Sequence, residues 1–278
     1  MSAARRAGDA VLAPAGGEGR KAGVFPRLML LVVAVVLAPV ARGEGEAELR
    51  AAVGALARTS HAWETTVRQR FQGTTTEPRI DPNAAVEVRG EFDPAGWARF
   101  EIAPTRELAV PVTAVARAGD VVALTPAGWV RRSALRPSAD AAREVAFGGK
   151  TVRLARLHAA ALKASALRPV SEDLLDLVAD LKSVRTVQGL ILGELSEKAI
   201  ERLWGGAEAR RAPDVHGTVI FKPGPDGLEE VHTVLGIGFP DTKAKSTRWT
   251  MQQWSTRIRG IGRTEVAVPE AAAAALDR

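Results

Sequence analysis

The sequence predicts an α+β fold, an antiparallel meander interrupted by two helices, and three observations carry that expectation. The string Pro-Ala-Gly-Trp occurs twice, at 94–97 and 126–129, and Pro225-Asp226-Gly227 repeats its proline and glycine spacing. Proline presets φ near −65° for the second turn position, and glycine two residues on can take the positive φ of a bulged hairpin. Each is therefore read as a hairpin tip. Short strands joined tip to tip pair antiparallel, because parallel neighbours need long crossovers. In the middle of the chain the apolar period changes from two to helical, at Val152–Leu167 and Glu172–Lys182, before strands return.

Element by element, Leu49, Val53 and Leu56 recur at i, i+4 and i+7 and place an opening helix over Glu46–Ser60. A strand follows at His61–Phe71, where Trp63, Thr65 and Val67 alternate with polar neighbours, and Gln72–Ala84, with two prolines, reads as a loop. Strands are expected at Val86–Phe92, Ala98–Ile102, Val112–Ala116, Val121–Leu124 and Val130–Arg132, with Gly119-Asp120 a further tight turn. The two middle helices follow, the second expected to be capped by Ser171 with Glu172 and Asp173 at its positive end. Val184–Leu192 reads as one strand, and Ser196 caps a short helix that ends at Trp204 before Gly205-Gly206. Val215–Lys222 and Leu228–Phe239 form a hairpin, and Thr247–Ile258 is a last long strand. These C-terminal strands carry apolar residues on both faces: Val215, Val219 and Phe221 on one, Ile220 on the other. A sheet covered on one side alone alternates strictly, so something is expected to cover the second face.

Ahead of this domain, Leu28–Val40 is an apolar run preceded by Arg5, Arg6, Arg20, Lys21 and Arg27 and followed by Ala41-Arg42-Gly43. A basic head, a short apolar centre and small residues at −3 and −1 are what export machinery reads. Residues 1–43 are expected to be a cleaved signal peptide, with an uncleaved N-terminal anchor or a buried core helix as alternatives, and residues 44–278 one domain. The expected location is the periplasm or the exterior of a bacterial cell. The net charge of +6 falls to +2 in residues 44–278, where 32 basic and 30 acidic residues remain. No long basic stripe follows from that balance, which argues against nucleic acid. Cysteine is absent, which excludes disulfides, thiolate metal sites, thiol catalysis and cysteine acylation.

No motif names a chemistry. The four histidines, His61, His158, His216 and His232, form no H-E-x-x-H pair, and there is no G-x-S-x-G elbow. His216 and His232 lie on strands expected to pair and would meet if the register allowed; otherwise they are two solvent-facing strand residues. Glu229 and Glu230 are neighbours on a strand and should point to opposite faces. Asp173, Asp176 and Asp180 form the polar stripe of an amphipathic helix. No catalytic residue, metal ligand or cofactor is expected. The indoles offer a sharper reading, in which Trp63, Trp97, Phe100, Trp129, Val219, Phe221, Leu235, Ile237, Trp249 and Met251 line an apolar cavity for an acyl chain. Against it stands the simpler reading that the tryptophans pack the core, and Trp249 and Trp254 differ in parity and so face opposite sides.

The order of parts resembles the superfamily of periplasmic lipoprotein carriers (LolA-like) and mycobacterial lipid-carrier lipoproteins. The residues that carry the resemblance are Ala62-Trp63-Glu64-Thr65-Thr66, Arg99-Phe100-Glu101-Ile102-Ala103-Pro104, Ala118-Gly119-Asp120-Val121-Val122 leading to Gly128-Trp129, Gly217-Thr218-Val219-Ile220-Phe221, and the closing segment 261–271. It implies a curved antiparallel sheet forming an incomplete barrel, with helices covering or plugging its open side and a cavity for acyl chains. The implied function is non-catalytic: binding or shielding a lipid or an acylated protein, with contact to membranes through an uncleaved signal or transiently. The alternative is a structural or adaptor module whose core its own side chains fill.

Overall fold

The first and last long strands of the domain pair with each other, and that seam joins two meanders into one sheet. A computed structural model describes residues 44–72, 79–80, 86–138, 140, 142–204, 212–241 and 246–277. Contacts divide the chain into residues 1–39 and residues 40–278, and the elements below all belong to the second unit. The export segment, most of the 72–84 loop and Gly205-Gly206 lie outside the described residues.

Helix α1 (Glu44–Leu56) leads into β1 (His61–Gln72), joined in passing by β2 (Arg79–Ile80). The first meander continues through β3 (Val86–Asp93), β4 (Trp97–Ile102), β5 (Val112–Arg117), β6 (Asp120–Thr125) and β7 (Gly128–Arg131). A small separate hairpin, β8 (Glu144–Phe147) and β9 (Lys150–Arg153), precedes α2 (Leu154–Ala164) and α3 (Val170–Ala179). The second meander is β10 (Leu181–Val187), β11 (Leu190–Leu195), β12 (Asp214–Gly224), β13 (Gly227–Asp241) and β14 (Ser246–Arg259), with α4 (Glu197–Trp204) between β11 and β12 and α5 (Glu270–Leu276) at the end. The sheet order is β10-β11-β12-β13-β14-β1-β3-β4-β5-β6-β7, with β2 off the path. Every pairing described is antiparallel, and the two edge strands do not pair to close it. At the seam β1 and β14 pair from Ala62↔Arg259 to Gln72↔Trp249, and the hydroxyls of Thr65 and Thr256 lie 2.8 Å apart across it.

The tips form as their residues dictate. Gly96 and Gly128 both sit at φ 95° and Gly227 at φ 128°. Asp93 accepts the amide proton of Ala95 through its carboxylate at 2.8 Å, and Thr125 accepts that of Ala127 through its hydroxyl at 3.2 Å, so each tip is held from inside. One face of the sheet is covered. Leu49, Val53 and Leu56 of α1, Leu157, Ala161 and Ala164 of α2, Leu174, Leu177 and Val178 of α3, and Ala199 and Ile200 of α4 are all buried in one cluster with the strand residues they meet. Full burial of each large aliphatic contributes about 1.5–3 kcal/mol, so this interface dominates the stability of the domain.

The sequence expectation is corrected at four places. Val152 belongs to β9 rather than to a helix, because Gly148 and Gly149, at φ 58° and 74°, turn a hairpin there. Ser171 does not cap α3: Pro169 holds the N-cap position, and Ser171 is inside the helix at 1% exposure. Leu181 leaves the helix and starts β10. The single strand expected at 184–192 is two, folded back at Gln188 and Gly189. Ser196, by contrast, caps α4 as expected, accepting the amide proton of Ala199 at 3.2 Å.

Candidate functional site

Six of the ten apolar candidates stand on the helix-covered face, and all are buried: Trp63, Phe100, Val219, Phe221, Leu235 and Ile237 are at most 5% exposed. The register explains this. Trp63 pairs with Gly90, Gly90 with Phe100, and Phe100 with Ala114, so large residues alternate with small ones across the strands. In the second meander Val219 pairs with Thr233, Phe221 with Val231, Leu235 with Gly217 and Ile237 with Val215. Gly217 has no room for a side chain, because a Cβ there would lie 2.9 Å from both Leu195 and Leu235 and 3.0 Å from Ile200. The face is filled by the protein's own residues.

The other four candidates stand on the opposite face and do not share a site with the six. Trp97 and Trp129 pack in a small second core with Val115, Val122, Ala272, Leu276 and Val268, beneath α5. Arg131 donates to the carbonyls of Ala275 and Leu276, and Arg117 lies 4.8 Å above the Trp97 ring while pairing with Asp277 at 3.2 Å. Trp249 and Met251 pair with Gly238 and Gly236 on the same side, and His216 stacks on Trp249 at 5.4 Å. Trp254 faces the helices, as its parity requires.

Between these two zones the open face carries an electrostatic grid around a cavity of about 510 Å³, lined by Ala62, Trp63, Glu64, Arg89, Gly90, Glu91, Arg99, Glu101 and Arg259. Cross-strand partners alternate in sign: Glu64 with Arg257 and with Arg89, Arg89 with Glu101, Glu91 with Arg99. Ala62 breaks the pattern between Glu91 and Arg259, and the gap it leaves is the cavity. Arg99 reaches Glu91 at 3.9 Å and Glu101 at 3.8 Å, while Arg89 pairs with Glu87, which raises its already high pKa. The strand periodicity held this grid, since polar residues at 87, 89, 91, 99 and 101 share one face, but its cross-strand partners required the register.

His61, at the start of β1, is fully buried among rings, 5.6 Å from Trp63 and 5.3 Å from Phe92. Its Nδ1 donates to the Thr59 carbonyl at 2.8 Å, and Nε2 is buried without a partner among the described residues. Burial lowers its pKa, against the raising effect of the Thr59 carbonyl. His216 and His232 do not meet: His232 pairs with Ile220, four residues from His216, about 13 Å at 3.3 Å per residue. His232 lies 3.3 Å from Glu230 instead. Partial burial would raise the Glu230 carboxyl, but the His232 hydrogen bond and the charges of Lys222, His232 and Arg257 prevail and hold it below the ordinary value. A bulge beside Lys222 brings both Glu229 and Glu230 to one ammonium, at 3.2 and 3.9 Å, where regular pleating would have parted them. Asp173 and Asp176 pair with Arg168, and Asp180 with Lys198 and Arg202. Among the described residues no three metal-ligating side chains converge, and no helix is long and apolar enough to cross a membrane.

No family model matches the chain, and no curated protein matches it. Among solved structures it is similar to a DUF1329 family protein from Desulfovibrio piger, at 10% identity and a TM-score of 0.25, over 81% of this chain and 96% of that one.

Proposed function

We propose that this chain is an exported, non-catalytic envelope protein whose sheet is a curved, incomplete barrel of the lipoprotein-carrier kind, and that its apolar face takes up a lipid or lipidated partner beneath the covering helices. One observation supports the reading above others: the cover, four helices and the separate β8–β9 hairpin, pairs with no strand of the main sheet. Helices α1 to α4 bury their apolar stripes on the sheet by side-chain packing, so withdrawing them breaks no ladder hydrogen bond and leaves both meanders paired. An acyl chain entering there replaces helix contacts with its own, at about 25 cal/mol per Å² of apolar surface. The residues it meets are Phe100, Val219, Phe221 and Leu235.

A second reading, a structural or adaptor module with a self-filled core, is favoured by the 0% exposure of Phe100, Phe221 and Leu235. One experiment separates the two. The full chain is purified, extracted with organic solvent for mass spectrometry and titrated with a fluorescent acyl probe. Co-purified lipid or saturable probe binding supports the first reading; the absence of both overturns it in favour of the second.

A further inference from the structure

The charge of the domain is unevenly placed. Residues 132–163 hold seven basic and two acidic residues, net +5, while the rest of 44–278 holds 25 basic and 28 acidic. Hydrogen bonds knit this segment into one surface with the 103–111 loop: Leu154 N–H to the Arg143 carbonyl at 2.8 Å, Lys150 to that of Ala109 at 3.0 Å, Arg156 to that of Glu107 at 3.0 Å. His158 joins α2 to Arg136 in the same way, at 3.1 Å. On α2, Arg156 and Lys163 are seven residues apart and share one stripe, with Arg153 at the N-cap three residues before Arg156, about a quarter turn around the helix from the buried Leu157, Ala161 and Ala164. All three are exposed, and none makes an ion pair among the described residues.

The stripe also breaks a local rule. Helix α2 has no acidic residue in its first turn, its N-cap is Arg153, and that side chain makes no capping hydrogen bond. Cations at the positive end of a helix are unfavourable, and Glu144, the cross-strand partner of Arg153 on β8, makes no ion pair with it among the described residues. Such uncompensated conflicts mark functional surfaces.

We propose that this face, carried by α2 and the β8–β9 hairpin, docks on an anionic phospholipid surface. The cations from Arg153 to Lys163 run about 15 Å along the helix and line no described cavity, which fits a plane of phosphate headgroups. The inference does not depend on whether the apolar face takes a ligand.

The chain contains no cysteine, so single labels can be placed cleanly on the full chain. Ala159→Cys puts a fluorophore in the stripe. Ala274→Cys puts one on α5, which packs on β6 and β7 from the other face, whereas α2 packs on β5 and β6. With vesicles of phosphatidylcholine containing one third phosphatidylglycerol and spin-labelled headgroups, quenching is expected at 159 and not at 274. It should be absent with pure phosphatidylcholine. Reversing three charges, Arg153→Glu with Arg156→Glu and Lys163→Glu, should weaken the quenching interaction on the order of a hundredfold. Should that variant not fold, the chain labelled through Ala159→Cys, with its three cations intact, should lose quenching between 50 and 500 mM salt. Equal quenching with neutral vesicles, quenching at 274 in place of 159, indifference to salt, or tighter binding of this face to duplex DNA than to the vesicles would overturn the proposal.

Discussion

The indole of Trp63 lies across Gly90 on the neighbouring strand, so close that a Cβ there would collide with its Cζ2 atom. Glycine at 90 is therefore a requirement of the ring rather than of the backbone, and the ring in turn is 6.0 Å from Phe100 in an edge-on arrangement. Gly90→Ala should destabilise the domain by about 3 kcal/mol, the upper end of overpacking costs, and Trp63→Ala by about 3–5 kcal/mol. Together they should cost less than their sum, because truncating the ring makes room for the methyl group. Urea denaturation of the two single variants and the double variant measures this, and strict additivity would refute the relationship.

His61 should make the domain acid-sensitive. Its folded-state pKa lies below the ordinary value of 6.5 because the charged imidazole is disfavoured by burial. Well above pH 6.5 neither state binds a proton there. As pH falls from 6.5 through the folded pKa the unfolded chain binds more, so stability drops over that window. The urea midpoint should fall from pH 8 to pH 5, and His61→Leu should flatten that fall; an identical slope in the variant contradicts the assignment.

The C-terminal helix should open on its own. It is seven residues long and rests on Leu276, Ala272 and the clasp of Arg117 and Arg131. Leu276→Ala should cost about 2 kcal/mol of local stability. Hydrogen exchange should rise in 270–276, and Trp97 and Trp129 should become accessible to iodide, while the global urea midpoint stays nearly constant. A shifted midpoint with unchanged quenching would show that the helix is integral to the main core.

Two turns carry a removable strain. Ala118 and Gln188 hold φ of 51° and 52°, each immediately before a positive-φ glycine. Left-handed backbone costs a non-glycine residue about 1–2 kcal/mol, offset in part by the entropy glycine loses on folding. Ala118→Gly and Gln188→Gly should each raise stability by about 0.5–1 kcal/mol in urea denaturation.

Much of the fold is legible where a residue type forces a conformation. Pro-Ala-Gly-Trp announces two hairpins, and Leu49, Val53 and Leu56 announce the face of α1. The β8–β9 hairpin escapes because its strands are four residues each and Val152 stands directly before the helical run of Leu154, Leu157 and Ala161; Gly148-Gly149 is the available signal. The β10–β11 turn hides because Gln188 is not a residue that advertises positive φ. Parity correctly separates Trp249 from Trp254, yet it does not reveal that Trp97 and Trp129 face away from Trp63, since that depends on register across β1, β3 and β4. Nor does the run of alanines in α5 announce a partner for them. The pairing of β1 with β14 joins residues nearly two hundred apart, and a period of two says which face a side chain takes but not which strand lies beside it.

Hydrogen exchange of the full chain with and without a C16 acyl probe tests the central claim most directly. Entry beneath the helices predicts saturable binding with altered exchange in 44–56, 154–164 and 170–179, while the ladder amides of β5 and β12 stay protected. No saturable binding, or changes confined to the opposite face around Trp249 and Met251, would contradict it.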